Sequence, residues 1–176
     1  MKIISIITVL ISLLVAVSVA SEAAEPTKSE KEQVQDNLKR FDRLDFEAYS
    51  HRKDMNLFKQ LHCPDVKVVF PDGRVTHGIE QHVSDINNGL FNGTPDSRIT
   101  SHPISFGSGD WTVATGVLEA TFSEPMKMPD GKSIPPTGKK VKISMATIAK
   151  WKNGCIAEEH LFWDNAEYMK QLGVTK

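Results

Sequence analysis

The run Glu158-Glu159-His160-Leu161-Phe162-Trp163-Asp164 sets three carboxylates and an imidazole among apolar and aromatic residues. Imidazole titrates near neutral pH, so His160 can take and return a proton without large tuning of its pKa. Side chains alternate along a strand, which puts Glu158, His160 and Phe162 on one face, with Asp164 at its end. Glu159 then points the other way. A carboxylate beside an imidazole fixes its tautomer and stabilises its charged form, so Glu158 or Asp164 would orient His160 for proton transfer. The plainer alternatives are a histidine satisfied by Glu158 or a backbone carbonyl, or one set in a dimer interface. Asp164 also reads as a helix N-cap, with Glu167 three residues on as its capping-box partner.

Other residues could complete such a site. His82 lies at the edge of the apolar stripe Ile79, Val83, Ile86 and Leu90, either reaching a cavity or marking the helix boundary. Trp111, Phe122, Phe162 and Trp163 suit a pocket for flat or apolar ligands, and they suit a plain core equally. Met126 and Met128 read as a flexible lid or as part of a proline-restrained surface loop. His77 and His82 are five apart, which does not stack them on one helix face. No HExxH or CxxC pattern, phosphate-binding loop, complete dinucleotide fingerprint or nucleophile elbow occurs, so neither a metal nor a cofactor is expected.

These residues need a scaffold, and the chain's order of elements describes one. Ser29-x-x-Glu32 is a capping box, and Val34, Leu38, Phe41, Leu44 and Ala48 follow at helical spacing. A long helix from about Ser29 to Tyr49 is expected. Asp54 can cap a short helix carrying Met55, Phe58 and Leu61. Val66 to Phe70 is a β-branched strand, turned at Pro71-Asp72-Gly73 into Arg74 to His77. A third helix spans Ile79 to Leu90. Strands are then expected at Arg98–Phe106, Trp111–Phe122, Lys139–Trp151 and Cys155–Trp163, with a proline-rich loop from Ser123 to Gly138 and a closing helix. Helices gathered early and an antiparallel meander later indicate an α+β domain, a curved antiparallel sheet wrapped around the long N-terminal helix.

Composition narrows the setting. Lys2, an apolar run from Ile3 to Val19 and small residues around Ala20 and Ala23 form the layout of a signal peptide over residues 1–23, cleaved after Ala20 or Ala23. The protein is thus expected to be secreted or periplasmic. The run is shorter than the ~20 apolar residues of a spanning helix, so no membrane association is expected after cleavage. About 150 residues remain, enough for one core. Removing Lys2 from 21 basic side chains leaves 20 against 22 acidic ones, a charge near −2 with no footprint for nucleic acid. Cys63 and Cys155 either pair, as an oxidising compartment permits, or stay as buried thiols.

The segments Asp54–Phe58 (DMNLF), Pro71–Ile79 (PDGRVTHGI), Ile134–Lys139 (IPPTGK) and Ala157–Gly173 (AEEHLFWDNAEYMKQLG) resemble the nuclear transport factor 2-like superfamily. Within it they resemble the SnoaL-like polyketide cyclases and ester cyclases, over residues 27–176. The resemblance implies a cone-shaped (cystatin-like) fold, a homodimer formed through the sheet, and a pocket between the concave sheet and the helices. It also implies a carboxylate base on the last strand, assisted by a histidine on the strand before. If Lys152-Asn153-Gly154 forms a three-residue loop, His160 takes the carboxylate's place and Ala146 the histidine's, so the cyclase dyad is not reproduced. A two-residue Asn-Gly turn slips the pairing by one residue. The expected function is an exported, cofactor-independent cyclase, isomerase or hydrolase acting on a small apolar or aromatic ligand, the alternative being a non-catalytic carrier of a hydrophobic metabolite.

Overall fold

The computed structural model describes residues 28–128 and 130–174, and the expected signal segment lies outside them. The capping box at Ser29 closes. The Glu32 backbone N–H donates to Ser29 Oγ at 3.3 Å and the Ser29 N–H to Glu32 Oε2 at 3.0 Å. Helix α1 runs Glu30–Arg43 and buries Val34 and Phe41. It does not continue as an α-helix to Tyr49, as its periodicity suggested. Leu44–Tyr49 is instead a π-helix, a wider turn that often marks functional sites. It buries Leu44, Ala48 and Tyr49 while keeping Asp45 at the cavity wall. Asp54 caps α2 (Met55–Leu61), accepting from the Leu57 N–H at 2.9 Å.

Strand β1 (His62–Val69) starts directly from α2 and pairs with β2 (Val75–His77). Helix α3 (Ile79–Asn88) follows. The expected strand Arg98–Phe106 is split into β3 (Arg98–Ile99) and β4 (Ser105–Ser108), both antiparallel to β5 (Trp111–Thr121). Pro103, lacking an N–H, sits in the break between them. The proline-rich loop holds a small hairpin, β6 (Met126–Lys127) and β7 (Ser133–Ile134). Long strands β8 (Lys140–Lys152) and β9 (Cys155–Trp163) complete a sheet of order β2-β1-β9-β8-β5-β3, and α4 (Asn165–Leu172) closes the chain.

The β8–β9 hairpin decides which residues face the interior. Asn153 and Gly154 adopt φ of 51° and 81°, a two-residue turn that pairs Lys152 with Cys155 and Trp151 with Ile156. The next pair is Lys150 with Glu158, so Ala157 is an unpaired bulge. His160 therefore lies opposite Ile148, and Ala146 opposite Phe162. The pairing of Ala146 with His160 does not form. One extra residue also exchanges the faces. Ile156 is buried before the bulge, and Glu159 and Leu161 are buried after it. Glu158, His160 and Phe162 stand on the outer face.

The core lies between the concave sheet and the helices. Val66, Val68, Leu118, Phe122, Ile156 and Leu172 are fully buried there. Each large apolar side chain withdrawn from water in this way contributes about 1.5–3 kcal/mol. Cys63 and Cys155 form a disulfide with Cα atoms 5.1 Å apart, tying β1 to the tip of the β8–β9 hairpin. Among the described residues no helix is long and apolar enough to cross a membrane.

Candidate functional site

Two adjacent spaces lie inside the cone. The inner one, about 50 Å³, has apolar walls that include Phe41, Leu44 and Ile99, broken by Asp45, Tyr49, His82, Thr147 and Glu159. The outer one, about 550 Å³, is lined by Phe70, Met126, Met128, Trp163, Tyr168 and Met169, among others. Ile86, Leu90 and Leu161 line both. The outer chamber has the size of a drug-like ligand's pocket, whereas the inner one admits only a group the size of one or two waters. Trp163 lines the outer chamber, while its Nε1–H is itself buried with no hydrogen-bond partner among the described residues.

One polar group of the inner cavity is built by the π-helix and the break between β3 and β4. His102, in that break, places Nε2 2.8 Å from Asp45 Oδ2 and Nδ1 2.8 Å from Asp42 Oδ1. Phe41 and Phe46 pack against its ring, and its side chain is only 5% exposed. Asp45 keeps a little solvent contact, yet it sits in dense surroundings. Burial is the largest influence on its carboxyl and raises the pKa above the ordinary aspartate value, with the His102 hydrogen bond working against it. Burial opposes the charged His102 imidazole, but hydrogen bonds and charge from Asp45 and Asp42 prevail and raise its pKa.

The second polar group gathers residues from three elements. His62 is the first residue of β1, His82 lies in the second turn of α3, and Glu159 is in β9. Glu159 Oε2 is 3.2 Å from His82 Nε2 and 3.7 Å from His62 Nε2. Neither contact has hydrogen-bond geometry, and Glu159 Oε2, His62 Nε2 and His82 Nδ1 are buried without partners among the described residues. Burial alone would raise the Glu159 pKa, but positive charge on the two imidazoles, when they are protonated, prevails and lowers it. Phe58 packs on both histidine rings.

The residues singled out from the sequence are distributed differently. His82 does line the inner cavity, and Trp163 the outer one. Glu158 and His160 are bonded to each other, Nε2 to Oε1 at 2.8 Å, with Lys67 Nζ 2.9 Å from the same oxygen. They lie on the outer face of the sheet because of the Ala157 bulge, and neither lines a cavity inside the cone. Trp111 is also on the outer face, near His160 and Lys150. Ala146 and Phe162 line an open outer groove with Ile104 and Val117. Phe122 is fully buried core. Asp164 caps α4, accepting from the Glu167 N–H at 2.9 Å, while the Glu167 side chain bonds Gln171 rather than closing a capping box.

Asp45, His62, His102 and Glu159 were not anticipated. One feature of the sequence does indicate Glu159. Ile156 and Leu161 both suit the core, yet they are an odd number of residues apart, which a regular strand cannot bury on one face. A bulge between them is required.

The sequence profile described as SnoaL-like polyketide cyclase matches residues 41–172. A search of curated proteins finds no match. Among solved structures, a candidate SnoaL-like polyketide cyclase from Jannaschia sp. CCS1 is similar, with a TM-score of 0.70 and 19% identity. The match covers 87% of this chain and 100% of that one. IdmH, a candidate polyketide cyclase from Streptomyces antibioticus, gives a TM-score of 0.63 at 20% identity, covering 78% of this chain and 98% of its own. AclR, a candidate hydroxylase from Streptomyces galilaeus, gives 0.64 at 16% identity and 84% of each chain.

Proposed function

Because the chain belongs to the SnoaL-like polyketide cyclase family, we propose that it catalyses proton abstraction from a small, largely apolar carbonyl compound held inside the cone. The observation that carries this reading is Asp45, a carboxylate with a raised pKa on the wall of an otherwise mainly apolar cavity. A base is most effective when its pKa lies near the working pH, and burial moves Asp45 in that direction. His102 holds the carboxylate in place. Glu159, drawn toward two imidazoles, is the weaker base of the two. In this reading the proton comes from the carbon next to a carbonyl. The resulting enolate carbon can attack a second carbonyl of the same molecule, closing a ring, and the new alkoxide takes a proton back. The bulk of the substrate would occupy the outer chamber. Only the reacting end would pass Ile86, Leu90 and Leu161.

Two further expectations belong to the same reading. The protein would be exported, which the Cys63–Cys155 disulfide supports. It would pair with a second copy through the outer face of the sheet, where Ile104, Phe106 and Phe162 are 48–59% exposed.

The test uses a panel of linear and aromatic polyketide-like ketones, read for ring closure and for exchange of the α-hydrogen with solvent deuterium. Asp45→Asn should lower kcat/KM by roughly 10²- to 10⁴-fold while ligand binding persists. His160→Ala should leave both unchanged. In the wild type, kcat/KM should rise with pH through a value above the usual aspartate pKa of about 3.9. Ligand binding with no exchange on any member of the panel supports a carrier instead. Full activity in Asp45→Asn removes Asp45 from the mechanism.

A further inference from the structure

His62, His82 and Glu159 each offer one ligand atom, and these atoms lie within 4.8 Å of one another. The side chains are 0%, 3% and 6% exposed. His62 Nδ1 is 2.8 Å from the Phe58 carbonyl oxygen, which can only accept, so Nδ1 carries the proton. In the neutral ring, Nε2 is then a bare lone pair. It stands 3.7 Å from Glu159 Oε2, another lone-pair atom, and neither has a hydrogen-bond partner among the described residues. Two buried acceptors facing each other are unfavourable unless positive charge lies between them. The gap is too long for an N–H···O bond. It is close to the separation of two ligands on one ion, roughly 3–3.5 Å when each bond is about 2.1 Å.

We propose that His62, His82 and Glu159 form a binding site for one divalent transition-metal ion, zinc by ligand type. Two imidazoles and a carboxylate are a recurrent donor set for such ions, too soft for calcium or magnesium. The Phe58 carbonyl supplies the outer support typical of a metal-binding histidine, since it fixes the tautomer and orients the ring. Three protein ligands leave a coordination position open. His82 and Glu159 line the inner cavity, so a water or a ligand oxygen entering from there can take it. The ion would then polarise a carbonyl at the innermost point of the cavity. The absence of a local motif is explained by topology, because the three ligands come from β1, α3 and β9 and meet only in the folded chain.

Metal uptake needs no substrate, so it is tested separately from the proton-transfer reading. Untagged protein is stripped with a chelator, incubated with a slight excess of zinc chloride, desalted, and its metal measured by mass spectrometry. The wild type should retain about one zinc per chain, filling a single three-ligand site. Glu159→Gln and His62→Gln should bind at least about 10-fold more weakly, and His160→Ala should bind like the wild type. Circular dichroism of the metal-free variants verifies folding. Should both ligand variants unfold, cobalt added to the stripped wild type decides the matter through its visible absorption in a low-coordinate nitrogen and oxygen site. Wild-type protein that retains less than about a tenth of an equivalent of zinc overturns the proposal. So does uptake that a folded Glu159→Gln leaves unchanged, or a cobalt sample without that absorption.

Discussion

At the scale of single residues, two histidines bonded to carboxylates show how surroundings set a role. His160 and Glu158 form a pair on the outer sheet face, where solvent screens their attraction and Lys67 shares the carboxylate. His102 is held between Asp42 and Asp45 under two aromatic rings. Its folded-state pKa is raised, so the stability it contributes is fully present below its unfolded pKa and is lost as pH rises through the folded value. Thermal melts of wild type and His102→Gln should therefore differ most below about pH 6.5, with the gap closing at higher pH. A gap that stays constant across that range assigns His102 a packing role alone. Burial of Asp45, which raises its own pKa, acts in the same direction, so the comparison with His102→Gln is needed to isolate the imidazole.

At the scale of elements, departures from regular geometry build both polar groups. The π-helix after α1 puts Asp45 on the cavity wall, the break between β3 and β4 brings His102 to it, and the Ala157 bulge turns Glu159 inward. A helix of uniform pitch and strands of uniform pairing would have presented other side chains at all three positions. Helix caps, by contrast, are local and separable from the site. Asp164→Ala removes the acceptor for the Glu167 N–H and should destabilise the fold by about 0.5–2 kcal/mol in urea denaturation, while leaving turnover per folded molecule intact. A loss of kcat without a loss of stability would return Asp164 to the candidate catalytic residues.

At the scale of the whole molecule, the disulfide bears on stability and the outer sheet face on the proposed dimer. The Cys63–Cys155 bridge spans 92 residues of sequence, so reduction, or a Cys63→Ser/Cys155→Ser double variant, should cost about 2–5 kcal/mol in denaturant melts. Phe162→Glu places a charge in the apolar outer groove and should convert a dimer to a monomer in light scattering. A wild type that is already monomeric at micromolar concentration defeats the dimer reading. The sequence by itself determined the order of the α-helices and the long strands, and with it the α+β class, together with the capping box at Ser29 and the caps at Asp54 and Asp164, because each rests on residues close together along the chain. It also singled out β9 for its run of carboxylates and a histidine, one of which, Glu159, lines the inner cavity. Only the tertiary structure decided which side of β9 faces the interior, because a single unpaired residue exchanges the faces and the pairing partner lies on another strand. It alone joined Asp45 to His102, and Glu159 to His62 and His82, since these neighbours are brought together by packing across the cone and not by spacing along the chain.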